Sequence, residues 1–103
     1  MDPMLIYKAL SNETRSQILQ WLKHPEQFFD EKPYVQQGLS FRIGVCVGDI
    51  QAKAGLAQSV ISSYLAAMQK AGLLESERIG KWTYYRRNEK TIAQFVEYVQ
   101  NQL

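Results

Sequence analysis

A chain of 103 residues, 46% hydrophobic and 21% charged, can bury one core and is too short for two ordinary domains. That balance excludes a disordered, highly charged polymer, and a single cysteine, Cys46, excludes an internal disulfide. A net charge of +2 does not identify a nucleic-acid partner; only the placement of the cations can.

From the N-terminus, Asp2 and Pro3 predict a helix start, an oxygen-bearing cap followed by a ring that needs no N–H in the first turn. Ile6, Ala9 and Leu10 share a face of this helix, 3–10. Ser11 or Asn12 caps a second helix from Glu13 to about Lys23, with Ile18, Leu19 and Leu22 at helical spacing and Trp21 beside them, and His24-Pro25 ends it. The connection 24–45 is longer than bundled helices need. Its end, where Leu39, Phe41 and Ile43 alternate with Ser40 and Arg42, reads as a short half-buried strand. Phe28, Phe29, Tyr34 and Phe41 either anchor the connection to the core or line a ligand pocket, the first being the commoner use of such residues.

Val47 to Ala54 predicts a short helix with Val47, Ile50 and Ala54 on one side, closed by Gly55. The turn Gly55-Leu56-Ala57 leads into GLAQSVISSYLAAMQKAGLL, whose stripe is Ile61, Leu65 and Met68, flanked by Tyr64 and stopped by Gly72. This pair, 47–71, fits a helix-turn-helix. Residues 74–87 read as a β-hairpin with Gly80 at its tip. Residues 89–103 form a last helix in which Ile92, Phe95, Val96, Val99 and Leu103 repeat at three and four, a stripe best covered by a second copy, with Leu5 and Ile6 of the first helix beside it.

Catalysis has no foothold in this pattern. The single histidine, His24, sits at a Pro-containing helix end without an evident acidic partner, and no Gly-rich phosphate loop, paired carboxylates or zinc-type Cys/His spacing is present. The chain is expected to be no enzyme and to need no cofactor. Its apolar runs fall short of the roughly 20 residues of a membrane span, and Met1–Ala9 lacks the pattern of a secretion signal, so it is expected in the cytoplasm with no membrane partner.

The helix after Gly55 is unusual in its outward face. Gln58, Ser59, Ser62 and Ser63 are short, polar and uncharged where solvated helices carry Glu, Lys and Arg. Such a face lets another molecule approach the backbone and be hydrogen-bonded: Gln pairs with adenine, Ser serves either base type, and the helix N-terminus favours phosphate. The hairpin adds Arg78, Lys81, Arg86 and Arg87 within ten residues, a wing for the phosphate backbone or minor groove. Each feature alone also fits an ordinary solvated surface; together they predict a sequence-specific binder of double-stranded DNA, with a protein-interaction winged helix as the alternative. Steep weakening with salt separates the two.

The segments KALSNETRSQILQWL, VCVGDI, GLAQSVISSYLAAMQKAGLL and RIGKWTYYRRN together resemble the ArsR-type family of bacterial winged-helix repressors over nearly the whole chain. The match rests on Leu56, Ser59, Ile61, Ser62, Leu65, Met68, Ala71, Gly72, Leu73, Gly80, Tyr84 and Tyr85. The resemblance implies a mainly α fold with a small β-hairpin wing, a homodimer through the first and last helices (Leu5, Ile6, Ile92, Phe95, Val96, Val99), a palindromic operator, and repression relieved by a signal. Carried over by position, Gln58, Ser59, Ser62, Ser63 and the flanking Tyr64 read DNA, while Arg78, Lys81, Arg86 and Arg87 grip its backbone. Ala57 departs from the family's capping Ser. Metal-sensing members carry two thiols near VCVGDI; here Gly48 takes the second place and the last helix has no histidine, so no metal site is expected. Cys46 is either a small apolar residue of the core, the commoner case, or a thiol sensor. No inducer can be named.

Overall fold

In the computed structural model, which describes Met1–Leu103, each helix boundary has a local cause. Asp2 Oδ1 accepts from the N–H groups of Met4 (3.1 Å) and Leu5 (3.4 Å), and Pro3 opens α1, Pro3–Leu10. Asn12 rather than Ser11 caps α2, Glu13–Lys23, accepting from the Arg15 N–H at 3.0 Å. Helix α4, Val47–Ala54, ends where Gly55 takes the left-handed conformation at φ 69°, and α5, Gln58–Lys70, follows with no side-chain cap from Ala57. Asn88 caps α6, Glu89–Gln102.

The connection departs from its expected strand. It contains a helix, α3, Lys32–Gln36, and Phe41–Ile43 is a 3-10 turn. Extended pairing is confined to β1, Val45–Cys46. Ser40 explains the turn: its Oγ accepts from the Arg42 N–H and wraps the segment before it can extend. Gly44 then lets the chain touch β3, Trp82–Arg87: at φ 113° it is in a region that disfavours side chains, and an added Cβ would collide with the Tyr85 carbonyl.

The sheet is antiparallel in the order β1-β3-β2, with β2 spanning Leu74–Ile79 and Ile79 facing Trp82 beside the Gly80 tip. One face, through Tyr85, packs on a core of Ile18, Leu22, Val45, Ile50, Ile61, Leu65, Met68 and Leu74. The other face is covered by the connection, whose buried Tyr34 ring meets Tyr84 edge-on at 5.9 Å and Phe41 at 4.9 Å. A second cluster joins Ile6 and Ala9 of α1 to Ala71 and Leu73. Ile6 is therefore corrected as an interface residue: at 0% exposure it is enclosed by its own chain. No helix is long and apolar enough to cross a membrane.

Candidate nucleic-acid interface

Helices α4 and α5 with their three-residue turn form the helix-turn-helix, held by Ile50 on one side and Ile61, Leu65 and Met68 on the other. Burying that stripe turns Gln58, Ser59, Ser62 and Ser63 outward, where all four are exposed and none makes a side-chain hydrogen bond within the chain. Because Ala57 offers no oxygen to the first turn, donors at the α5 N-terminus lack a side-chain acceptor. Sequence reasoning passed over Val60, also exposed, whose branched methyls suit contact with a thymine methyl; its only signal was an apolar residue among the polar ones.

The remaining predicted contacts divide. Arg78 and Lys81 are exposed near the wing tip, with Arg78 Nε donating to the Gly80 carbonyl at 3.2 Å. Arg86 and Arg87 have partners within the chain. Arg86 lies across the sheet from Glu75 and Glu77, donating to Glu77 Oε1 at 2.9 Å and to the Ile43 carbonyl at 3.1 Å. Arg87 grips both oxygens of Glu89 at 2.8 and 3.1 Å and reaches the Leu19 carbonyl, leaving its side chain 11% exposed. Both guanidiniums are matched by carboxylates and tie the wing to the body. Tyr64 is turned toward α2: its hydroxyl accepts from Asn12 Nδ2 at 3.3 Å and the Arg15 guanidinium stacks 5.0 Å from its ring centre. His24 is exposed, 3.8 Å from Glu26.

The sequence profile described as bacterial regulatory protein, arsR family, matches residues 45–76, the stretch running from β1 through the helix-turn-helix into β2. The chain is 43% identical over the full length of both proteins to the uncharacterized HTH-type transcriptional regulator YbzH of Bacillus subtilis. The chain belongs to the arsR family of helix-turn-helix transcriptional regulators. It is 25% identical to the arsenic resistance transcriptional regulator ArsR1 of Pseudomonas putida, over 94% of this chain and 62% of that protein. Among solved structures, the homodimeric winged helix-turn-helix DNA-binding domain of a possible ArsR-family regulator from Mycobacterium bovis is similar, with a TM-score of 0.64, 27% identity, and coverage of 94% of this chain and 73% of that one.

In this arsR-family chain the VCVGDI segment borders a cavity of about 320 Å³ between α3, the first turn of α4 and the wing. Cys46 is half-buried at the N-terminal end of α4, and its N–H donates to the Tyr34 hydroxyl at 2.9 Å. That hydroxyl in turn donates to Asp49 Oδ2 at 2.7 Å. The donors do not suit a soft metal: Gly48 supplies no second thiol, a carboxylate is a hard ligand, and no three His, Cys, Asp or Glu side chains converge.

Proposed function

We propose that this regulator acts as a dimeric repressor, working by binding alone and without catalysis, in the cytoplasm where its DNA lies. Two copies join through the outward sides of α1 and α6 and set their α5 helices into successive major grooves of a palindromic operator. Its half-sites then lie about 34–36 Å apart or a multiple of that. Support for the pairing comes from the apolar side of α6: Phe95 stacks edge-on against Tyr7 at 5.5 Å, Leu5, Ile92 and Val99 are half-buried, and Val96 stays 50% exposed. The homodimeric state of the mycobacterial domain points the same way.

One observation carries the DNA-reading role. Gln58, Ser59, Ser62 and Ser63 are the polar side chains of the helix pair that the fold leaves exposed together on α5 and unbonded, while Tyr64, Arg86 and Arg87 are already engaged. Base edges are read by the first group, and Arg78 and Lys81 supply the wing's phosphate contacts. Selection of bound sequences from a random duplex pool tests this directly. A palindromic motif is expected, and Gln58→Ala should lose about 1–3 kcal/mol of discrimination at one base-pair position per half-site. An unchanged base-preference profile in that variant removes Gln58 as a reader.

A further inference from the structure

The cavity beside Cys46 is built of parts that share one chemical preference. Its aromatic walls are Tyr34 and Tyr84, both buried, and Trp82, 55% exposed at the wing tip. Its floor carries one carboxylate, Asp49, and no Lys, Arg or His lines it. Asp49 Oδ2 is held by the Tyr34 hydroxyl, which fixes the carboxylate in place, while Oδ1 accepts no hydrogen bond from the chain. At Gly48 a Cβ would meet nothing within 4 Å, so beside Asp49 the helix leaves open space.

We infer that this cavity is a binding site for a small organic cation of the quaternary or alkyl ammonium class, held by the faces of Trp82, Tyr34 and Tyr84 and by the free oxygen of Asp49. Aromatic faces carry negative quadrupole charge and attract such cations most strongly where water is excluded. Asp49 forms no salt bridge, and Lys53, one turn on in α4, points its ammonium at the Trp21 and Phe28 rings and does not line this cavity, so the carboxylate sets a negative potential there that repels anions. Burial, first, pushes the Tyr84 hydroxyl above its ordinary value, with smaller electrostatic contributions from Cys46 and Asp49. Burial raises the Tyr34 hydroxyl as well, so both phenols stay neutral at physiological pH. A volume of about 320 Å³ lies at the small end of ligand sites and has room for a whole choline-sized guest.

The site touches both the start of α4 and the wing, so a bound cation ties the helix pair to the hairpin and can shift their relative pose. That consequence rests on the DNA-binding reading above; binding itself is measured without DNA and stands or falls alone. Choline and its neutral carbon isostere, 3,3-dimethyl-1-butanol, are titrated at constant ionic strength against the full chain, following heat and the indole N–H resonance of Trp82. The chain has two tryptophans, and Trp82→Leu assigns the signal. Saturable binding of choline is expected, tighter than that of the isostere by about tenfold or more, and weakened to a similar degree in Asp49→Asn, which keeps an oxygen for Tyr34. Trp82→Leu, at an exposed position, should weaken choline in a chain with an unaltered circular dichroism spectrum. Equal affinity for the isostere would make the cavity merely apolar and overturn the inference. So would an absence of saturable choline binding, or choline binding indifferent to both substitutions.

Discussion

Helices α5 and α6 carry apolar stripes of the same period and put them to opposite uses. In α5, Ile61, Leu65 and Met68 are fully enclosed, because α1, α2, α4 and β2 surround that helix. In α6 no residue is fully buried, although Ile92, Phe95, Val96 and Val99 repeat as regularly. Helical periodicity announces that a face needs cover; it does not say whether the cover comes from the same chain or from a second one. The difference lies in the number of elements that the fold places around each helix.

Substitutions on the two stripes should therefore fail differently. Leu65→Ala removes buried methyl groups from the closed side and is expected to cost about 2–5 kcal/mol of folding stability, read by denaturant unfolding against the unaltered chain at one matched protein concentration. Val96→Glu on the open side should leave the folded monomer intact and raise the dimer dissociation constant about a hundredfold, because a charge enters an apolar contact. Sedimentation equilibrium checks it, and an unchanged dimer would place the interface elsewhere. Between these lies the wing's anchor: Arg87→Ala should lower stability by about 1–2 kcal/mol, as Glu89 and the Leu19 carbonyl lose their donor. At matched folded fraction its DNA affinity should fall less than that of Arg78→Ala with Lys81→Ala; the reverse order would restore Arg87 as a phosphate contact. The smallest effect concerns the helix start, where Ala57→Ser supplies the missing cap and should stabilise by about 1 kcal/mol in a thermal melt.

Much of this architecture was legible from local chemistry. Asp2, Asn12, Gly55, Gly72 and Gly80 mark element ends by what their side chains or φ angles permit, and the structure puts helix or strand boundaries beside each of them. The helix-turn-helix, the hairpin and the exposed polar face of α5 follow from periodicity in the same way. The connection did not: a five-residue helix has no periodicity to read, and the alternation in Leu39–Ile43 was overruled by the Ser40 turn. The contacts of Arg86 and Tyr64, and that of Arg87 with the Leu19 carbonyl, were also hidden, because Glu77, Ile43, Leu19 and Asn12 lie 9 to 68 residues away along the chain; the Arg87–Glu89 pair is local.

The amino-acid order alone determined which segments curl, which pair, and which faces are apolar, since those properties depend on neighbours within a few residues. Only the tertiary structure decided which polar groups remain unspent. Ile6 disappears inside, Arg86 is neutralised across the sheet, Arg87 is tied to the Leu19 carbonyl, and Tyr34 packs onto Tyr84 to wall a cavity around Asp49. Charge compensation and enclosure are set by distances through space, and the chain brings those distances about only once it has folded.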